Sequence, residues 1–293
     1  GEVAFLSGGA YSMPMRAAVD TVVIEVERQP MLDLMAAIPE MSDIIISVLV
    51  ARRRRQLEEA DSALVVIGED ASPAVARVAA FASRNKIPYR ALELGSEAAR
   101  AAVSSCHASA GRPVVVFGKT HAMEEPSVAE VAKLLGLSLD VDVTQEVDVL
   151  IVGGGPAGVA AAVYAGAEGL SALLVEDIAV GGQAGTSSRI ENYMGFPTGI
   201  SGADLVWRGE IQALKFGTRF AMPKRVQSLN KKSDGQFCAS FEDGDQISAK
   251  AIVAATGVQY RRLPIAGLEH YEGAGVYYAA TEYEARFCRN SEV

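Results

Sequence analysis

The chain has 293 residues, of which 49% are hydrophobic and 22% are charged, values ordinary for a globular protein of two or three domains. Its formal net charge of −9 argues against non-specific nucleic-acid binding, which needs a basic surface. No apolar run approaches the roughly 20 residues that a membrane-spanning helix requires. We therefore expect neither nucleic acid nor a membrane among the partners.

The cysteine content indicates a reducing compartment. The three cysteines, Cys106, Cys238 and Cys288, lie too far apart for a disulfide framework or a CxxC redox pair, so we expect a cytoplasmic protein. Cys106 precedes His107, but no third group is visible that would orient the histidine. A structural role for this cysteine is therefore favoured over a nucleophilic one.

The first segment, residues 1–60, combines a turn-rich start with helical patterning. A strand is predicted at residues 21–26, and helical patterning runs from Gln29 onward with an interruption at Pro39. The basic run at residues 52–55 follows apolar residues. Cations near the C-terminal end of a helix explain this run at least as well as nucleic-acid contact does.

The second segment, residues 61–140, alternates strands and helices. A buried strand is predicted at residues 62–68, and a helix follows that begins at Pro73. The remaining elements predicted here are a strand at 89–94, a helix at 96–104, a strand at 113–117 and a helix at 127–135. This alternation predicts a small α/β domain.

The third segment opens with a buried strand that runs into a glycine-rich turn and a helix of small residues. Gly153 permits the tight turn, Gly155 lets the backbone approach a pyrophosphate, and Gly158 allows close packing of helix and strand. The helix N-terminus, at Pro156 and Ala157, offers N–H groups and the positive end of the helix dipole. The pattern predicts the phosphate cradle of a dinucleotide-binding βαβ unit.

An acidic residue stands where such a unit binds a ribose. Glu176 ends the next apolar run, about 20 residues beyond the first glycine of the turn. The alternative is a solvated carboxylate at a strand end. The glycine pattern upstream favours the ribose-binding interpretation.

Further motifs identify a family. The run at residues 181–183 is Gly-Gly-Gln, Asn192 follows in a Glu-Asn-Tyr sequence, and residues 255–257 are Ala-Thr-Gly. Together with the glycine turn, these motifs resemble the thioredoxin reductase group of flavoproteins with two dinucleotide domains. The resemblance runs from residue 147 to the end of the chain and implies that the first glycine pattern binds FAD.

The resemblance also implies individual contacts. Glu176 would hold the adenosine ribose, and Val226 would contact the adenine. The residues that would line the rest of the FAD are Gly182, Gln183, Asn192, Thr256 and Gly257. A Gly-Gly-Gln run can approach a planar ring and hydrogen-bond its polar edge. The alternative for Gln183 and Asn192 is loop capping through backbone hydrogen bonds.

Two departures from the family pattern concern activity. Ala279 and Glu282 stand at the positions of the family's Cys-Ala-Thr-Cys dithiol, and neither can form a thiolate or a mixed disulfide. The catalytic residues are therefore unknown. The family's NADPH domain should begin just after Val293, so NADPH is expected only with that missing domain. Because the chain also starts without methionine, we expect a fragment truncated at both ends.

The two front segments resemble other families. Residues 1–60, with Gly1-Glu2 and Arg16, are similar to the C-terminal part of a cyclic-nucleotide-binding β-roll. Tyr11 and Ser12 cannot replace its phosphate-binding arginine, so nucleotide binding there is not favoured. Residues 61–140 resemble a thioredoxin or glutaredoxin-like fold that lacks the dithiol, with Arg112-Pro113 where that fold carries its cis-proline.

The sequence thus predicts an α/β protein. It would consist of a partial β-roll plus helix, a small thioredoxin-like domain and an incomplete Rossmann-like FAD-binding domain at residues 146–293. We expect an FAD-dependent NAD(P)H oxidoreductase that passes electrons to an acceptor without the usual CxxC. A small redox protein could accept these electrons, a homodimer stays open, and no metal site is predicted. The alternative is a non-catalytic, flavin-binding regulatory or scaffolding protein.

Overall fold

The computed structural model shows a mixed α/β protein with two separate sheets. It describes Phe5 and residues 17–58, 64–69, 72–85, 87–104, 106, 112–118, 121–135, 146–258, 261–268, 271 and 276. The glycine-rich start on which the cyclic-nucleotide resemblance rests, including Tyr11, Ser12 and Arg16, lies outside these residues.

The first segment contains two consecutive helices. Helix α1 spans Arg28–Ala37 and helix α2 spans Pro39–Glu58, as the helical patterning and its interruption predict. Proline at the first position of α2 costs no hydrogen bond, because that N–H has no partner within a helix. The arginines at residues 52–55 lie near the C-terminal end of α2.

The prediction of a strand at residues 21–26 is wrong. This segment has no regular secondary structure, and Val22 is 98% exposed. A strand forms only with a hydrogen-bonded partner, and none of the described strands pairs with residues 21–26. The β-branched residues favour an extended chain but cannot supply that partner.

The middle segment forms a four-stranded sheet in the order β2-β1-β3-β4. Strand β1 is parallel to β2, whereas β3 runs antiparallel to both β1 and β4. The strands are β1 (Leu64–Gly68), β2 (Arg90–Glu93), β3 (Val114–Phe117) and β4 (His121–Glu124). The helices are α3 (Pro73–Arg84), α4 (Glu97–Ser104) and α5 (Val128–Leu134). The sequence pattern did not predict β4.

Helices bury both faces of this small sheet. Val66 and Val115 share an apolar cluster with residues of α3 and α5, whereas Val65 and Val116 share one with α4. The apolar run of β1 is therefore buried throughout. Among the described residues the cis peptide bond precedes Pro223, and the bond before Pro113 is trans, so a cis-proline at Pro113 is wrong. Local sequence does not determine which isomer the surrounding fold selects.

The C-terminal segment forms a six-stranded sheet in the order β7-β6-β5-β10-β9-β8. The strands β7, β6, β5 and β10 are parallel, and β9 is antiparallel to its neighbours β10 and β8. Their bounds are β5 (Glu146–Val152), β6 (Ala172–Val175), β7 (Arg219–Ala221), β8 (Val226–Lys231), β9 (Phe237–Phe241) and β10 (Gln246–Ala254). Two helices, α6 (Pro156–Ala167) and α7 (Gly202–Lys215), complete the segment with a short 3-10 turn, Ala184–Thr186.

The core of this segment includes part of the first one. Ile151 and Leu174 of the sheet cluster with Ile211 of α7, and Leu32 and Met35 of α1 belong to the same buried cluster. Helix α1 therefore packs on the helical layer of the C-terminal segment. Within the described part of the chain, no helix combines the length and the apolar character that crossing a bilayer requires.

Candidate functional site

The glycine turn connects strand β5 to helix α6. Gly153 has a φ of 106°, a region that side chains strongly disfavour, and a Cβ there would also overlap the carbonyl of Ala255. A Cβ at Gly158 would overlap the carbonyl oxygen of Gly153. Both glycines are therefore required by the close packing of strand, turn and helix.

The N-terminus of α6 faces open space at the turn. Gly155 is the N-cap residue with a φ of −68°, and no heavy atom lies within 4 Å of the place that a Cβ would take. Pro156 follows at the first helical position, and Ala157 is exposed. The first backbone N–H groups of a helix have no partner within it, so this end can bind an anion.

Glu176 lies directly beside this turn. Its carboxylate accepts a hydrogen bond from the Gly154 N–H at 2.6 Å and one from the Ile178 N–H at 3.1 Å. Burial, together with a hydrogen bond to Asp177, raises the pKa of the Glu176 carboxyl to about 7, against the lowering effect of the two N–H donors. A carboxyl group so placed retains acceptor capacity for ribose hydroxyls.

The Gly-Gly-Gln run lies against the same turn. The Gly181 N–H donates to the Gly154 carbonyl oxygen at 2.7 Å, and a Cβ at Gly182 would lie 3.1 Å from the Gly155 Cα. Gln183 is exposed next to them. The structure thus brings the glycine turn, Glu176 and the Gly-Gly-Gln run together.

The Ala-Thr-Gly run follows strand β10 at the same edge of the sheet. Because β5 and β10 are parallel neighbours, their carboxyl ends lie side by side, and the Ala255 N–H donates to the Val152 carbonyl oxygen at 2.8 Å. Thr256 and Gly257 are exposed beyond that bond. A Cβ at Gly153 would lie 3.2 Å from the Thr256 Cα, so Thr256 is close to this glycine.

The other two predicted contacts lie on separate elements. Asn192 is exposed on the loop that the Ile190–Ile200 bridge closes. Val226 begins β8 and packs in the apolar cluster that also holds Val175, the last residue of β6. The positions Ala279, Glu282, Cys288 and His107 lie outside the described residues. Cys106 follows α4, with its sulfur 3.9 Å from the Ala102 carbonyl oxygen.

Two residues of this region were missed by sequence reasoning. Gly154 is not one of the three glycines of the pattern, yet its N–H holds the Glu176 carboxylate. Lys224 is buried and forms ion pairs with Asp243 and Asp245. No local sequence pattern signals these ion pairs, because their residues meet only in the folded sheet.

Known proteins resemble the C-terminal half of the chain. Residues 147–287 match the family described as pyridine nucleotide-disulphide oxidoreductase. The thioredoxin reductase of Helicobacter pylori is 38% identical over 148 residues, which are 50% of this chain and 47% of that protein. The bifunctional thioredoxin reductase/thioredoxin of Mycobacterium leprae is 34% identical over 146 residues, 50% of this chain and 31% of that protein. The chain spans about half the length of the curated thioredoxin reductases it matches.

Solved structures of thioredoxin reductases also resemble part of this chain. The atypical thioredoxin reductase TRi from Desulfovibrio vulgaris Hildenborough is 37% identical, with a TM-score of 0.36 and coverage of 45% of this chain and 43% of that one. A thioredoxin reductase from Gloeobacter violaceus is 33% identical, with a TM-score of 0.38 and coverage of 46% and 42%. TM-scores of this size add nothing to the fold, which rests on the strands and helices above. By sequence, residues 147–287 are therefore similar to the pyridine nucleotide-disulphide oxidoreductase family and, within it, to thioredoxin reductases.

Proposed function

We propose that the C-terminal segment binds FAD and serves an FAD-dependent oxidoreductase of the thioredoxin reductase-like group. The observation that carries this proposal is the hydrogen bond from Gly154 to the Glu176 carboxylate, made beside the N-terminus of α6. It joins a ribose-binding acid to a phosphate-binding helix end. Both lie at the carboxyl edge of parallel strands, where α/β sheets bind their ligands.

The residues of this edge fit the two halves of FAD. The helix N-terminus and the open backbone at Gly155 suit the pyrophosphate, Glu176 suits the adenosine ribose, and Val226 suits the adenine. The residues proposed for the flavin side are Gly182, Gln183, Asn192, Thr256 and Gly257. The contacts of Glu176, Gly182 and Thr256 with the glycine turn support this assignment.

The proposed reaction takes electrons from NADPH. The flavin, when bound, supplies the chemistry that accepts a hydride and passes electrons onward. The chain offers Ala279 and Glu282 where relatives carry a dithiol, so these positions cannot exchange disulfides with an acceptor. The proposed acceptor, a small redox protein or another oxidant, therefore receives electrons by a different route.

The front segments are proposed to be accessory domains in a cytoplasmic protein. For residues 61–140 a thioredoxin-like fold is supported by the order β2-β1-β3-β4, with β3 antiparallel to β1 and helices on both faces. The bifunctional name of the Mycobacterium leprae relative supports a link between a reductase and a thioredoxin unit. For residues 1–60 the sequence resemblance alone supports a cyclic-nucleotide-binding-like unit.

A regulatory or scaffolding flavoprotein is the second candidate function. It is favoured by the packing of Leu32 and Met35 of the first segment into the core of the flavin-binding segment. Such a contact would couple the front of the chain to the cofactor site. A regulatory or scaffolding function of this kind requires no electron transfer.

Anaerobic mixing of the full-length, FAD-loaded gene product with NADPH separates the two functions. We expect the visible absorbance of the flavin to bleach while added thioredoxin and a small disulfide reagent stay oxidised. Absence of bleaching would contradict the oxidoreductase and support the regulatory protein. Rapid thioredoxin reduction would instead contradict the proposal of a different electron route.

A further inference from the structure

The backbone of Lys224 connects two proposed adenosine contacts. The Lys224 N–H donates to the Glu176 carbonyl oxygen at 2.8 Å, and the Glu176 N–H donates to the Ala221 carbonyl oxygen at 3.1 Å. Val226 begins strand β8 two residues after Lys224. The position of Lys224 therefore influences the spacing between the ribose acid and the adenine contact.

The side chain of Lys224 connects the same residue to a second segment of the chain. Its Nζ forms ion pairs with Asp243 and Asp245, which lie in the turn between β9 and β10. The same Nζ lies 5.5 Å from the centre of the Phe241 ring, and the Lys224 side chain is only 6% exposed. A buried cation is stable only with such partners, so the lysine binds the segment before β8 to this turn.

The pKa shifts of Lys224 and Asp243 show that both groups are charged when they form their ion pair. Burial lowers the pKa of Lys224, but its bonds to the two carboxylates outweigh that effect and leave the pKa above its ordinary value. Burial raises the pKa of Asp243, but the bond and charge of Lys224, together with backbone N–H donors, leave it below its ordinary value. The Lys224–Asp243 ion pair therefore persists throughout the neutral range.

We propose that Lys224 is a positioning residue for the adenosine half of the cofactor. Through its ion pairs with the β9–β10 turn it holds Glu176 and Val226 at the separation that adenosine requires. The inference rests on the proposed FAD site. It concerns adenosine affinity and leaves the phosphate-binding helix end unaffected.

The test compares two probes, ADP and inorganic pyrophosphate, because only ADP carries the adenosine. We expect Lys224→Met to weaken ADP binding about tenfold or more, equivalent to roughly 1.4 kcal/mol, with little change in pyrophosphate binding. Lys224→Arg should restore most of the ADP affinity. Lys250→Met is the matched control, because Lys250 pairs with Asp148 at 2.7 Å near the opposite end of the same sheet.

Further variants and results would decide whether Lys224 has this positioning role. If Lys224→Met does not fold, Asp243→Asn and Asp245→Asn replace it, since each removes one ion pair and leaves the other. Wild-type ADP affinity in the folded variants, or an equal loss for ADP and pyrophosphate, would overturn the positioning role alone. A wild-type chain that binds neither probe would overturn the proposed FAD site as well.

Discussion

At the residue scale, the three glycines of the turn are required for different reasons. Gly153 has a left-handed φ, and Gly158 has no room for a Cβ against the Gly153 carbonyl. Gly155 has an ordinary φ and open space where a Cβ would lie. Packing therefore explains the first two glycines, whereas the open space at the third is what the proposed pyrophosphate site requires.

Glu176 should make the stability of the nucleotide-free protein depend on pH. Its pKa is raised from 4.5 to about 7 by burial, so between these values the folded protein binds more protons than the unfolded one. Its contribution is fully present below pH 4.5 and is lost as pH rises through about 7. We expect the free energy of unfolding of wild type to fall over this window relative to Glu176→Gln.

Urea unfolding at a series of pH values measures this difference. Glu168→Gln is the control, because it removes one carboxyl group from an exposed position at the end of α6. Parallel profiles for wild type and Glu176→Gln across the window would contradict the assigned burial of this carboxyl group.

Sequence predicted the site residues that belong to local patterns and missed those created by tertiary contacts. Gly153 and Glu176 follow from a spacing along the chain, and in the structure Glu176 bonds to Gly154 of the same turn. The ion pairs of Lys224 join residues about 20 positions apart across a hairpin. No periodic pattern specifies such a partner, so the buried cluster could not be predicted.

At the element scale, the tertiary contacts of helix α1 likewise could not be predicted from its sequence. Helical patterning predicts its existence, because apolar residues recur along one face. The pattern does not specify which surface that face covers. In the structure, Leu32 and Met35 lie in the core that α6 and α7 form with the C-terminal sheet.

This packing predicts an asymmetric effect of two neighbouring substitutions. Met35 is fully buried, whereas Leu34 is 43% exposed. We expect Met35→Ala to lower the free energy of unfolding by about 2–5 kcal/mol, and Leu34→Ala by less than about 1 kcal/mol. Urea unfolding followed by circular dichroism measures both. Equal losses would contradict the contact between α1 and the C-terminal segment.

Strands were predicted well where they are buried and poorly where they depend on pairing. The apolar runs of β1, β3 and β5 are evident in the sequence. Residues 21–26 carry a strand-like composition without a described partner, whereas the short edge strand β4 forms because β3 pairs with it. Pairing is a property of the fold, so composition alone was misleading in both cases.

At the scale of the whole molecule, described residues of both front segments contact the C-terminal segment. Helix α1 packs on its helices, and the Asn85 side chain donates to the Ile178 carbonyl oxygen at 3.0 Å. Ile178 follows Glu176 by two residues and donates to its carboxylate. The middle segment is therefore connected to the loop that carries Glu176.

The proposed FAD site has the glycine turn as its phosphate cradle. Titration of FAD with the protein, followed by quenching of flavin fluorescence, tests it most directly. We predict one FAD per chain, competition by ADP, and a loss of affinity of about tenfold or more in Gly155→Ala with unchanged urea unfolding. A chain that binds neither FAD nor ADP, or a Gly155→Ala variant that binds FAD as tightly as wild type, would contradict the claim.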